Sequence, residues 1–266
     1  MKRLVAAELR NRRRGLLALG AAVFAFVLLL AGSYQALGGP NTTGFLSPKN
    51  TPSFVRALSG SQTTDIMQPK HYVGFGFNHP LFLVLTLAVV ISIAAGGIAG
   101  DVESGRAQLF YSRPIRRSRL VLVRVATMAL AELAALVASL VAVAIGTQLA
   151  PDLGGTLPAA AAVLAQYAGL AAVVGGAAFL ASSMTRTRSA ATGTAVAFTA
   201  GMYLLDFVSL LVDRARALRW LTPFGYYDPL TAAARGVNAA RLAVLFVAAA
   251  LLVGAACVVT EHRDVV

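Results

Sequence analysis

The side chains that most often do catalytic chemistry are few in this 266-residue sequence, and their spacing does not let them act together. The histidines are His71, His79 and His262, and none has the His-Glu-x-x-His spacing of a zinc site. Cys257 is the only cysteine, which excludes a disulfide or a multi-cysteine metal site within one chain. No Gly-x-Ser-x-Gly motif or paired-carboxylate arrangement indicates a hydrolase. We therefore predict neither a catalytic residue nor a metal site.

The sequence also lacks a motif for nucleotide chemistry. Its lysines are Lys2, Lys49 and Lys70, and none of them follows the Gly-x-x-x-x-Gly loop that cradles a nucleotide phosphate. We predict that this chain binds no cofactor of its own and is not an enzyme.

Glu132 is the acidic residue with the most unusual position. It lies about a dozen residues into an apolar run, near the middle of a membrane at ~1.5 Å per residue. A carboxylate there costs at least ~2.5–3.5 kcal/mol, so the side chain must face the protein interior or a wet cavity. Two interpretations stay open: a residue that lines a substrate path or locks two helices, and a protonated or hydrogen-bonded packing residue. For Gln166 and Asp206, which lie in later apolar runs, we favour hydrogen bonds between helices over a place on such a path.

The apolar runs around these residues predict a membrane protein. Hydrophobic residues make up 58% of the chain and charged residues 13%, with a mean hydropathy of +0.72, whereas soluble domains are ~45–50% apolar and ~25% charged. Six runs are long enough for a helix to cross ~30 Å of hydrocarbon. They cover residues 16–37, 80–100, 120–149, 159–184, 189–212 and 240–260. Since no strand-like alternation appears, we predict an all-α, polytopic bundle of six transmembrane helices.

Basic residues cluster at the ends of these runs and predict the orientation of the chain. Six spans with both termini in the cytoplasm place fifteen Lys and Arg residues inside and eight outside, as the positive-inside rule requires. Residues 1–15 are then an interfacial helix, and residues 38–79 and 213–239 are extracellular segments. A secretory signal peptide is the alternative for the first run.

Small residues recur in the fourth and fifth runs. Examples are Gly169, Gly175, Gly176 and Gly193, together with many alanines. Such residues let helices approach closely, so we favour plain helix packing for them. A seam between two copies of the chain is the alternative.

Residues 100–119, GDVESGRAQLFYSRPIRRSR, interrupt the apolar pattern between the second and third runs. The stretch begins with Asp101 and Glu103, continues with the apolar Leu109 and Phe110, breaks at Pro114 and ends in arginines. One interpretation is an ordinary positive-inside loop, and the other is a cytoplasmic knob that docks into a groove on another protein. The order of the features favours the second.

This stretch resembles the loop between the second and third spans of permease subunits of ABC-2 type ABC transporters. There an acidic pair precedes Gly-Thr, a Leu-rich short helix, a Pro and basic residues that lead into a helix with a Lys. Comparable positions here are Asp101, Glu103, Gly105, Leu109, Arg113, Pro114, Arg116, Arg119 and Arg124. The sequence departs from the pattern at Arg106, where the family often has Thr, and at Arg124, where it often has Lys. The resemblance extends over the whole chain, including the LTPFGYYDP stretch at 221–229.

The resemblance implies that residues 101–119 form a coupling segment that contacts a cytoplasmic ABC ATPase subunit, which would hold the ATP and Mg²⁺. The residues expected at this contact are Asp101, Glu103, Gly105, Arg106, Leu109, Phe110, Arg113, Pro114 and Arg116. A second permease half, expected to be an identical copy, would complete the path. The net charge of +12 is not taken as a sign of nucleic acid, because the basic residues flank the apolar runs.

On this resemblance we expect the permease subunit of an ABC transporter that exports a lipid-like, drug-like or peptide substrate across the plasma membrane of a bacterium. The bacterial source is also indicated by the excess of arginine over lysine and the many alanines. Candidates for an external gate are Trp220, Phe224, Tyr226 and Tyr227. The alternatives are a membrane scaffold or sensor subunit, a membrane-embedded enzyme without a recognisable motif, and a secondary transporter.

Overall fold

The computed structural model describes residues 2–39, 66–105 and 117–262, and all regular secondary structure within these ranges is helical. The α-helices are α1 (Lys2–Ala36), α2 (Pro69–Asn78), α3 (Pro80–Ala95), α4 (Ile98–Glu103), α5 (Arg117–Leu149), α6 (Leu157–Met184), α7 (Arg188–Leu211), α8 (Pro223–Tyr226), α9 (Pro229–Arg235) and α10 (Ala239–His262). Two 3₁₀ segments lie at Pro151–Leu153 and Asp213–Leu221.

Five of these helices are long and apolar enough to cross a membrane: α1 from Arg12 onward, α5, α6, α7 and α10. A sixth span results when α2 and α3 are counted together, since they meet at an angle of 49°. The prediction of an all-α, polytopic fold is confirmed. The second span, however, is broken near one end.

The break between α2 and α3 has a local cause. Pro80 stands in the first turn of α3 and has no backbone N–H to donate, and His79 before it is extended, with φ −60° and ψ 132°. The His79 ring nitrogen Nδ1 accepts a hydrogen bond from the Leu81 N–H at 3.2 Å and caps α3. The loop expected over 38–79 is therefore helical at Pro69–Asn78, where buried rings hold α2 against the bundle; residues 40–65 lie outside the described ranges.

The start of the chain also differs from expectation. The separate interfacial helix expected at residues 1–15 is part of one continuous helix that runs to Ala36. Arg12 explains why this part stays with the bundle, because its guanidinium donates to the Ser92 carbonyl of α3 at 3.0 Å. At the end of the second predicted span, α3 stops at Ala95 and α4 begins at Ile98, after Gly96 and Gly97.

Helix α6 is the centre of the bundle. In its most apolar window 67% of the residues are buried, against 17% for α10. Glycines on α6 allow its neighbours to approach: a Cβ at Gly169 would lie 3.0 Å from the Leu245 Cβ of α10, and one at Gly176 would lie 3.0 Å from the Leu252 Cβ. Gly175 likewise packs against Met128 of α5. These three glycines therefore serve packing within the chain.

The helices define two ends of the bundle. At one end lie Arg12, Asp101, Arg124 and Arg188, and we call it the basic end. At the other end the segment from Asp213 to Arg235 folds back onto α2, α6 and α7, and we call it the aromatic end after its rings. A Cβ at Gly74 of α2 would lie 2.9 Å from the Pro229 carbonyl oxygen, so α2 and α9 touch through their backbones there.

Candidate functional site

The basic end is organised around the break between α3 and α4. Ser182 of α6 spans this break: its hydroxyl donates to the Ala95 carbonyl at 2.9 Å and accepts from the Ala99 N–H at 3.0 Å. These two backbone groups lie on either side of Gly96 and Gly97, at helix ends where they have no partner within their own helix, and Ser182 satisfies both. Ser182 therefore links α4 to α6 by hydrogen bonds.

Asp101 of α4 forms an ion pair with Arg124 of α5. The two side chains are only 13% and 12% exposed, so the pair is largely withdrawn from water. Gly97 makes room for it, since a Cβ there would lie 3.1 Å from an Arg124 guanidinium nitrogen. The pair attaches α4, where the 101–119 stretch begins, to the long helix α5.

Glu103, at the end of α4, attaches the same segment to α7. Its carboxylate accepts a hydrogen bond from the Arg188 N–H at 2.8 Å. Arg188 is the first residue of α7, so the Glu103 side chain occupies the place of an N-terminal cap and its charge complements the helix dipole. Thr187, the residue just before α7, also caps this helix, because its side-chain oxygen accepts a hydrogen bond from the Ala190 N–H at 3.3 Å.

Both ends of the described chain also join this region. Arg12 of α1 binds the Ser92 carbonyl and pairs with Glu8 at 2.9 Å. At the other terminus, a Glu261 carboxylate oxygen of α10 accepts from the Ser118 N–H of α5 at 3.0 Å. The basic end thus connects α1, α3, α4, α5, α6, α7 and α10 through polar contacts.

An apolar groove lies between α3 and α7. Its volume is about 260 Å³, and it is lined almost entirely by apolar atoms. Lining residues include Leu83, Leu87 and Ile91 on α3, and Val196, Ala200 and Tyr203 on α7. Phe224 lies at the end of the groove that faces the aromatic end, with its ring 5.4 Å from that of Tyr203.

The aromatic end closes over the helices with rings and ion pairs. Tyr227 donates to the Phe77 carbonyl at 3.1 Å and packs edge-on against Tyr167 of α6, with 5.7 Å between ring centroids. Arg219 pairs with the buried Asp206 of α7 at 3.3 Å.

The last long helix joins the aromatic end through a further arginine. Arg241 of α10 pairs with Asp228 at 3.0 Å, and its guanidinium lies 5.5 Å from the centroid of the Trp220 ring. The segment before α10 is therefore a fixed cap on the bundle.

Comparison with known families identifies the chain. Residues 3–265, nearly its whole length, match the family model described as ABC-2 family transporter protein. The chain belongs to this family. None of the curated proteins matches it in sequence. The family resemblance noted in the sequence is thereby confirmed: the protein is a multi-pass membrane component of an ABC transporter, and membership implies association with an ABC ATPase subunit.

The structure of this ABC-2 permease places the predicted contact residues in two groups. Asp101 and Glu103 are held by partners within the chain, and Gly105 ends the described stretch with a φ of 70°, a conformation that suits glycine. The others, Arg106, Leu109, Phe110, Arg113, Pro114 and Arg116, lie outside the described residues. The ATPase contact itself stays a prediction.

The predicted polar residues of the spans are not brought together. Gln166 donates to the Tyr226 carbonyl at 3.2 Å and so links α6 to the aromatic end. Asp206 pairs with Arg219, as described above. Glu132 is 6% exposed inside the bundle, and neither of its carboxyl oxygens has a hydrogen-bond partner among the described residues. It does not line the α3–α7 groove.

The candidate gate residues differ in their exposure and are not brought together at one site. Phe224 and Tyr227 are buried, Tyr226 is half-buried, and Trp220 is 52% exposed. Only Phe224 lines the groove.

Sequence reasoning missed Ser182 and the roles of Arg12 and Arg188. Arg188 carried a weak signal, because Thr187 before it is a typical N-cap residue. Nothing marked Ser182, since a serine inside an apolar run usually bonds to its own helix, as Ser183 does with the Leu180 carbonyl.

Proposed function

We propose that this ABC-2 permease exports an apolar, lipid-like or drug-like substrate along the α3–α7 groove, using ATP hydrolysed by a separate cytoplasmic subunit. The observation that carries the proposal is the groove itself: about 260 Å³ of apolar space that ends at Phe224. A peptide is less favoured within the predicted set of substrates. Its backbone amides would be buried against apolar walls without hydrogen-bond partners, which costs roughly 2–7 kcal/mol for each group.

The basic end is proposed to face the cytoplasm of a bacterial cell. The positive-inside rule supports this orientation, because the arginines at the starts of α1, α5 and α7 lie together at this end. The aromatic end then faces outward, where aromatic rings are favoured at the interface of the membrane and water.

Coupling is proposed to run from the ATPase through residues 101–119 to the groove. Two contacts support it: the Asp101–Arg124 pair attaches this segment to α5, and the Glu103–Arg188 bond attaches it to α7. Since α7 forms one wall of the groove, a displacement of Glu103 would tilt that wall. ATP-driven closure of the ATPase would thus select between two positions of α7.

A second, identical permease half is proposed to close the open side of the groove. Large apolar side chains that line the groove support a partner surface there, with Val84 of α3 64% and Val196 of α7 48% exposed. Lipid covers such side chains equally well, so the oligomeric state of the purified protein is measured separately, and a monomer of this chain in the active complex would contradict the identical partner.

The test reconstitutes the permease with its ATPase in vesicles and measures ATP-dependent movement of a phospholipid that carries a fluorescent tail. Ala200→Trp fills the groove and is expected to lower transport several-fold while ATP hydrolysis persists. Ala197→Trp is the matched control, because Ala197 is an exposed alanine of the same helix that does not line the groove. Equal transport by both variants would exclude the groove as the path. ATP hydrolysis without movement of any apolar probe by the unmodified protein would favour the scaffold or sensor alternative.

A further inference from the structure

A second groove lies between α1 and α5, with a volume of about 610 Å³. Both helices run from the basic end toward the aromatic end, and they touch where Ala31 meets Gly146. Closer to the basic end they separate, and Val89 of α3 forms the floor between them. No lining residue is shared with the α3–α7 groove.

Small side chains shape this groove. On α5 the lining residues include Ala131, Ala134, Ala135 and Ala138, and on α1 they include Gly20 and Ala21. Larger apolar residues, such as Leu16 and Phe24, form its edge on α1. The result is a long, mostly apolar groove that is open along one side.

The mouth of the groove carries positive charge. Arg13 lines it, and Arg10, one helical turn earlier, is exposed on the same side of α1. Within the described part of the chain, no ion pair or hydrogen bond of either arginine is found, whereas the neighbouring Arg12 binds Glu8 and the Ser92 carbonyl. The two guanidinium groups are therefore available to an anion from outside the chain.

The length of the groove along α1 matches the thickness of the hydrocarbon in one leaflet of a bilayer. The lining on α1 begins one turn before Arg13, at Leu9, and from Arg13 to Phe24 the helix rises about 16 Å at ~1.5 Å per residue. Half of a hydrocarbon core of ~30 Å is ~15 Å. A molecule that fits must therefore have an anionic head at the membrane surface and an apolar tail that reaches the midplane.

We infer that the α1–α5 groove binds an anionic phospholipid of the cytoplasmic leaflet, with the phosphate at Arg10 and Arg13 and one acyl chain along Gly20 and Ala134. A second copy of the chain fits less well. A two-fold interface across this groove would bring identical surfaces together and place the arginines of both copies close to one another. The inference does not depend on the transported substrate.

The experiment measures lipid binding to the full chain in detergent by native mass spectrometry. Phosphatidylglycerol and phosphatidylcholine with the same acyl chains are added in equal amounts. The unmodified protein is expected to retain one phosphatidylglycerol in preference to phosphatidylcholine. Arg13→Ala is expected to reduce that preference about fivefold, as for the loss of one basic residue at an anionic surface. Arg235→Ala, the same change at the aromatic end, is expected to leave it unaltered.

A second pair of variants tests the acyl-chain position. Ala134→Trp fills the groove and is expected to lower the occupancy of both lipids. Ala129→Trp adds the same bulk to an exposed alanine of α5 outside the groove and is expected to change nothing. An unchanged headgroup preference in Arg13→Ala, or unchanged occupancy in Ala134→Trp, would overturn the inference. Conversion of a dimer to a monomer by Ala134→Trp would also overturn it, because the groove would then be an interface between copies.

Discussion

The two ends of the bundle are held together by different interactions. At the basic end, single side chains bind the backbone of neighbouring helices, as Ser182, Glu103 and Arg12 do. At the aromatic end, rings pack in a continuous row from Phe77 through Phe82 and Tyr167 to Tyr227, with centroids 5.0–5.7 Å apart.

This difference indicates which end can move. The Glu103 hydrogen bond is exposed, and such a bond contributes about 0.5–1.5 kcal/mol and can be exchanged for water. Buried aromatic rings are stabilised by a large apolar area and by their packing geometry, and they separate only when a whole surface is exposed. We therefore expect the basic end to rearrange during a transport cycle and the aromatic end to remain a fixed point.

The largest effect is expected from the ion pair at the basic end. Asp101→Ala leaves the nearly buried Arg124 without its partner, so the free energy of unfolding should fall by about 3 kcal/mol. Asp213→Ala is the matched control, because its pair with Arg216 is 61% and 88% exposed and contributes at most ~1 kcal/mol. Unfolding in mixed micelles measures both. Equal losses would show that the Asp101–Arg124 pair does not hold this end together.

A substitution at Gly225 tests how closely the aromatic end is packed. Gly225 packs against the backbone of Arg219, so Gly225→Ala should displace the segment and lower the free energy of unfolding by roughly 1–3 kcal/mol. Gly201→Ala is the control on α7, where an added Cβ meets nothing within 4 Å. The higher helix propensity of alanine should raise the free energy of unfolding of this variant by up to ~1 kcal/mol. Similar behaviour of the two variants would contradict a closely packed aromatic end.

Glu132 lies between the two ends, and a substitution there tests its effects on stability and on transport separately. Its unpartnered carboxyl is buried, so Glu132→Met, which keeps a similar volume, should raise the free energy of unfolding by about 1–2 kcal/mol. Unchanged transport in this variant would favour the packing interpretation, and a loss of transport would favour a functional one. A drop in stability would mean that the carboxyl has a stabilising partner.

The smallest effect on stability is expected at Glu103. Glu103→Ala removes an exposed cap from α7 and should lower the free energy of unfolding by about 1 kcal/mol or less. Glu103→Gln keeps an oxygen that can accept from the Arg188 N–H and should behave like the unmodified chain. Thermal unfolding of both variants in detergent checks this, and an equal loss in both would show that the charge, rather than the hydrogen bond, matters.

The spans were predictable from sequence because hydrophobicity is a local property of each run. The position of α2 was not. Its burial depends on contact with Pro229, about 150 residues later, and no local pattern of the 69–78 stretch contains that contact. Pro80 was visible in the sequence, but a proline is compatible both with the start of an independent helix and with a break in a longer helix.

The candidate site was predictable in part for the same reason. Asp101 and Glu103 were singled out by their order within one loop, which is local information. Their partners Arg124 and Arg188 lie on two other helices, so the identity of each pair follows only from how the bundle packs. Ser182 shows the limit most clearly, because its role comes entirely from lying beside the break between α3 and α4.

We propose that motion of residues 101–119 reaches α7 through Glu103, and the yield of transport for each ATP depends on this coupling. Transport per ATP hydrolysed is compared for the unmodified complex, Glu103→Ala and Glu103→Gln in vesicles, with co-purification of the ATPase as the check on assembly. We predict that Glu103→Ala keeps its ATPase and continues to hydrolyse ATP but moves much less substrate for each ATP, while Glu103→Gln behaves normally. An unchanged ratio in Glu103→Ala would contradict the claim.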